Sequence, residues 1–196
     1  MKTRPSMSLC TAAAAAVAVL GLSACGSMGG GPMSQTAQMS QMAPFSQASL
    51  PDAVKVPAGH RVAMETVGAG DITYECRVNM AGQFEWVFVG PDAKLMDRKG
   101  AQIGRYFGPP ATWESKDGSK VTGAQLAVSP ATPGSIPLQL VKANPASGAG
   151  AMQGVTYIQR VATQGGVAPA SACTASSQGQ KQIVKYQADY IFWRAT

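Results

Sequence analysis

The stretch Val184-Lys185-Tyr186-Gln187-Ala188-Asp189-Tyr190-Ile191-Phe192 places Val184, Tyr186, Ala188, Tyr190 and Phe192 at every second position. Successive side chains of a strand point to opposite faces, so this period of two predicts a strand with one face in a core. No stretch after residue 50 keeps the i, i+3, i+4 spacing of an amphipathic helix. Other runs repeat the strand pattern. Ile72, Tyr74, Cys76 and Val78 fall on one face, with Thr73, Glu75 and Arg77 on the other. Phe84, Trp86 and Phe88 share a face, and Val87 and Val89 make the opposite face apolar too, which predicts a central strand. Ile136, Leu138 and Leu140 alternate, as do Val155, Tyr157 and Gln159. Asp117-Gly118 lies between Thr112–Lys116 and Lys120–Val128, the signature of a hairpin whose two turn positions both take positive φ. Glycine and proline punctuate the runs and break helices of ordinary length. The expectation is an all-β domain over residues 51–196, built of short antiparallel strands as a single sandwich or barrel. The alternation does not choose between those two.

The N-terminal part reads differently. Lys2 and Arg4 give a short basic start, and Leu9 to Leu22 carry no charge. A run of about fourteen apolar residues is too short to span a bilayer comfortably and marks a removable export signal over residues 1–24. It ends in Leu22-Ser23-Ala24-Cys25, which resembles the lipobox of bacterial lipoproteins. That resemblance implies cleavage before Cys25 and a lipid on its thiol, hence membrane anchorage in the cell envelope. Gly26 follows, not the aspartate that signals inner-membrane retention in many such proteins, so the outer membrane is expected. Residues 25–50 are uncharged and rich in Gly, Ser, Gln, Ala and Met, the composition of a flexible tether. The tether holds Met28, Met33, Met39 and Met42. Thioethers favour Cu(I), so copper handling is one alternative reading.

Removing residues 1–24 takes Lys2 and Arg4 from 16 basic residues, leaving 14 against 10 acidic and a net charge of +4. The basic residues are scattered, and only Arg98-Lys99 is an adjacent pair. A nucleic-acid footprint requires a clustered basic patch, so nucleic acid is not an expected partner. Of the four cysteines, Cys10 leaves with the signal and Cys25 takes the lipid. Cys76 and Cys173 are left, and in an oxidising envelope they are expected to form a disulfide, with two buried free thiols as the alternative. A metal site built on them and on His60, the single histidine, lacks a fourth ligand of the usual kind.

A set of motifs in fixed order resembles one family. They are Val56-Pro57-Ala58-Gly59-His60-Arg61, Ile72-Thr73-Tyr74-Glu75-Cys76, Trp86-Val87-Phe88-Val89 with Pro91-Asp92-Ala93, and Trp113-Glu114 ahead of Asp117-Gly118-Ser119. Ser147-Gly148-Ala149-Gly150, Gly154-Val155-Thr156-Tyr157-Ile158-Gln159-Arg160 and Gly165-Gly166-Val167-Ala168-Pro169 follow, with Cys173 shortly after. In this order they resemble the domain of unknown function 3455 family, from about residue 51 to 193. The resemblance implies a secreted single domain with both cysteines inside matched motifs. It implies no activity.

No catalytic constellation stands out. His60 must serve any Ser-His-Asp or Cys-His arrangement, and no Gly-x-Ser-x-Gly elbow occurs. Glu114 and Asp117 beside Trp113 are the best carboxylate pair for an envelope hydrolase. Gly148, Gly150 and Gly154 lack the spacing and following helix of a phosphate loop and read as a turn before a strand. Aromatic residues are numerous for one small β domain. The expected function is therefore a non-enzymatic binding or structural module, without a cofactor, for a small apolar ligand, an envelope glycan or a protein partner. Trp86, Trp113, Tyr157, Tyr190 and His60 are the candidate binding residues.

Overall fold

The computed structural model describes residues 44–196. Eight antiparallel strands follow one another around a closed barrel, β1 to β8 in sequence order. They are β1 (His60–Val78), β2 (Phe84–Met96), β3 (Gln102–Phe107), β4 (Thr112–Ser115), β5 (Lys120–Ser129), β6 (Leu138–Ala143), β7 (Val155–Gly165) and β8 (Lys181–Ala195). The choice between sandwich and barrel falls to the barrel because β8 returns to β1, from His60 opposite Ala195 to Glu75 opposite Lys181. One rim carries the start of β1 and the β4–β5 hairpin; the second carries the β1–β2, β3–β4, β5–β6 and β7–β8 connections.

The alternation of β8 holds. Tyr186, Ala188, Tyr190 and Phe192 are buried inside the barrel, and Val184 packs against the same cluster. Tyr106, Trp113 and Tyr190 form its centre. The Tyr106 and Trp113 rings stack at 4.7 Å, and Tyr190 meets them at 5.0 and 5.9 Å. Aromatic pairs of this kind add about 0.5–1.5 kcal/mol each beyond their burial. Tyr190 lies over Gly68 of β1, where a Cβ would come within 2.5 Å of its ring. Glycine there lets the ring lie against the backbone.

A second core lies outside the barrel wall. Leu140, Val161, Ile191 and Trp193 are buried with Val54 and Val56, and Phe45 and Leu50 pack on them. The segment 44–56 thus runs over the outer face of β6, β7 and β8, and its packing begins at Phe45, ahead of Pro51. Gln47 fixes its shape by accepting from the Val56 N–H at 2.8 Å and donating to the Val56 carbonyl at 2.9 Å. Gln159 fixes it to the barrel. Its amide donates to the Val54 carbonyl at 2.6 Å and accepts from Trp193 Nε1 at 2.8 Å.

Four sequence readings are corrected. Val155 and Tyr157 do not share a face, because a bulge between them sends Val155 inward and Tyr157 outward. Ile136 precedes β6 and turns into the interior, whereas Leu138 and Leu140 face out. Phe84–Pro91 is not a central strand. It pairs with β1 alone among the described residues, because β3 is short and reaches β2 only at Asp92–Met96. The β4–β5 hairpin forms as expected, but of its turn residues only Gly118 takes positive φ, at 84°. The Gly118 N–H closes a tight turn on the Ser115 carbonyl at 2.9 Å. This is the longer hairpin form, in which one left-handed glycine follows an ordinary turn.

Cys76 and Cys173 form a disulfide. It ties the β7–β8 connection to β1 at the second rim. Backbone bonds from the Cys76 N–H to the Gln180 carbonyl and from the Gly179 N–H to the Cys76 carbonyl reinforce the same junction.

Candidate functional site

Unequal strand lengths open the barrel wall. β3 and β4 have 6 and 4 residues, whereas β2 has 13 and β5 has 10. β4 meets β5 only at Lys120–Thr122, so Gly123–Ser129 has β6 on one side and no strand on the other among the described residues. Phe84–Pro91 of β2 is the facing free edge. A notch is left between them, above the Gly108–Ala111 connection, which contains cis peptide bonds before Pro109 and Pro110.

A cavity of about 300 Å³ lies at the base of this notch. Phe88 lines it from one edge, Gly123 and Gln125 from the other, and Gln139 and Arg160 from β6 and β7. Tyr106 and Trp113 line it from the barrel interior. Trp113 is 1% exposed and Phe88 52%. The lining therefore grades from a buried aromatic base to an open apolar edge. An eight-stranded barrel has room for packed side chains or one small ligand. This barrel divides its interior, with side chains filling one part and a cavity left in the other.

The polar groups of the cavity are unevenly matched. Arg160 directs Nε and Nη2 to one acceptor, the Pro137 carbonyl, at 3.1 and 2.9 Å. Gln139 Nε2 donates to Gln125 Oε1 at 2.6 Å. Trp113 Nε1 is buried without a partner. Burial pushes the hydroxyls of Tyr74, Tyr106, Tyr186 and Tyr190 above the ordinary tyrosine range, and the Arg160 guanidinium is the opposing influence common to all four. These tyrosines stay neutral near pH 7.

The candidate binding residues separate into three places. Trp113 and Tyr190 meet inside the barrel, and of the five only Trp113 lines the cavity. Trp86 lies on the free edge of β2, where its indole donates to the Ser171 carbonyl at 2.7 Å. His60 and Tyr157 meet edge to face at 4.9 Å on the outer side, with Lys142 Nζ 4.1 Å from the Tyr157 ring centre. His60 Nδ1 sits 3.0 Å from the Pro57 carbonyl.

Glu114 and Asp117 lie toward the other rim. Glu114 pairs with Arg105 at 2.5 Å and Lys120 at 3.1 Å, and these cations hold its carboxyl below the usual range. It lines a shallow outer groove of about 250 Å³ with Arg105 and Lys116. Asp117 accepts from the Ser119 hydroxyl and backbone N–H at 2.6 and 2.9 Å and from the Ala151 N–H at 2.7 Å. These bonds lower its carboxyl to about 2. Among the described residues, no group of three His, Cys, Asp or Glu side chains is placed to hold a metal ion. Cys25, Met28, Met33, Met39 and Met42 lie outside the described residues.

Phe88, Tyr106, Gln125, Gln139 and Arg160 are site residues that sequence reasoning did not nominate. The sequence carried no signal for Arg160, because the alternation of Val155, Tyr157 and Gln159 placed it on the opposite face, and only the bulge between Val155 and Tyr157 turns it inward.

The fold and cavity define a small up-and-down β-barrel with a side-opening pocket. The chain belongs to the family described as protein of unknown function, DUF3455, whose model matches residues 57–194. Comparison with curated proteins returned no match, and neither did comparison with solved structures.

Proposed function

We propose that this protein is a non-enzymatic binding module of the bacterial cell envelope. It is held to the membrane, the outer membrane in the first instance, by lipid on Cys25, and it takes a small, largely apolar ligand into the cavity at the barrel notch. The observation that carries the reading is an open cavity with a base of buried aromatic rings. Its volume is at the small end of ligand pockets, which run from about 300 to 1,000 Å³. The edges of the notch are apolar as well: Phe88 on β2 and Val128 on β5 are exposed large side chains. The Leu22-Ser23-Ala24-Cys25 sequence supports the anchor.

The test is a titration of the full chain with N-phenyl-1-naphthylamine, a neutral fluorescent apolar probe. Saturable one-to-one binding is expected, and Gln125→Trp, which places a bulky ring at the notch, should abolish it while circular dichroism stays unchanged. Unsaturable binding, or binding untouched by that variant, would count against the cavity. Incorporation of labelled fatty acid, lost in Cys25→Ser, checks the anchor.

A further inference from the structure

The cavity has donors without acceptors. A guanidinium carries five N–H donors, and Arg160 uses two of them on the Pro137 carbonyl. No carboxylate pairs with Arg160 among the described residues. The nearby tyrosines are neutral, so none supplies a counter-charge. Gln125 accepts from Gln139 and makes no bond through its own amide N–H groups among the described residues. Two residues of one cavity, Arg160 and Gln125, therefore present free donors, and one of them is a cation. A half-buried charge without a partner costs stability, and an anionic acceptor removes that cost while gaining charge-assisted bonds.

We propose that the ligand of this cavity is a small carboxylic acid, its carboxylate held by Arg160 with Gln125, and its apolar body seated against Tyr106, Trp113 and Phe88. This rests on the binding reading above and names the chemical class of the ligand. An amine would meet the Arg160 charge head on. A neutral apolar molecule would leave every donor unmet.

Three isosteric probes separate the cases: 2-naphthoate, 2-naphthalenemethanol and 2-naphthylmethylammonium, each titrated into the full chain by calorimetry. The acid is expected to bind more tightly than the alcohol by about ten-fold or more, as charged hydrogen bonds of about 1.5–3 kcal/mol imply. The ammonium should bind most weakly. Arg160→Gln should erase the difference between acid and alcohol by weakening the acid, with an unchanged circular dichroism spectrum reporting that the variant folds. Arg160→Lys should keep part of the preference. Equal affinity of wild-type protein for acid and alcohol would overturn the carboxylate assignment and leave the binding module standing. Binding of none of the three, together with no binding of N-phenyl-1-naphthylamine, would overturn both.

Discussion

Asp117 illustrates how one side chain serves a fold when its surroundings are complete. Both carboxylate oxygens accept hydrogen bonds, from Ser119 on its own hairpin and from Ala151 on the β6–β7 connection. These bonds favour the ionised form and lower the carboxyl from 3.8 to about 2. A group whose folded value lies below its unfolded one contributes stability that is fully present above the unfolded value. That contribution disappears as pH falls from about 4 to about 2. Urea midpoints of wild-type protein should therefore drop more steeply across that window than those of Asp117→Asn, and the two curves should converge at the acid end. Parallel curves would remove the linkage. The motif from Gly154 to Arg160 shows how adjacent residues divide their work. Ile158 enters the barrel core, Gln159 clamps the outer segment, and Arg160 lines the cavity. The alternation of a strand makes these opposite assignments possible within three residues. The sequence alone showed the motif as a unit and could not say which residue met which partner.

At the scale of elements, the least expected feature is the outer segment 44–56. It lies partly in a stretch whose composition reads as tether, yet Phe45, Leu50, Val54 and Val56 cover the outward apolar residues of β6, β7 and β8. Burial of both faces explains why Ile191 and Trp193 can be apolar next to inward Tyr190 and Phe192. Gln159 is fully buried and joins three polar groups there. Gln159→Leu keeps the volume but strands the Trp193 N–H and the Val54 carbonyl. Each buried unmet group costs about 1–3 kcal/mol, so a loss of about 2–6 kcal/mol is expected in urea denaturation. A loss under about 0.5 kcal/mol, the range of neutral surface changes, would mean that water replaces the clamp. Strand length is the other determinant at this scale. The short β3–β4 hairpin opens the notch, and hairpin signals in the sequence located Asp117-Gly118 without revealing how far β2 and β5 extend beyond their neighbours.

For the whole molecule, closure between β1 and β8 joins the two ends of the folded chain, and the disulfide reinforces it. Cys76 and Cys173 are separated by 97 residues. Closing a loop of that size restricts the unfolded chain by an amount worth about 4–5 kcal/mol in the entropy model. Cys76→Ser with Cys173→Ser is expected to lower stability by about 2–5 kcal/mol, read as a fall in urea midpoint that reductant reproduces in the wild type. An unchanged midpoint would mean that the denatured chain is already restricted without the cross-link and would overturn this expectation.

The all-β class, the inward face of β8, the β4–β5 hairpin and the cysteine pair were legible in the sequence, because each depends on local period, turn chemistry or a count. Barrel rather than sandwich, the notch, the second core and the cavity were decided by tertiary structure. They follow from which strands end first and which edges meet, and those are relations between residues far apart in the chain. For the same reason Trp113 could be nominated from its type, whereas Arg160 became a candidate only when its guanidinium was found beside an open cavity with no carboxylate to answer it.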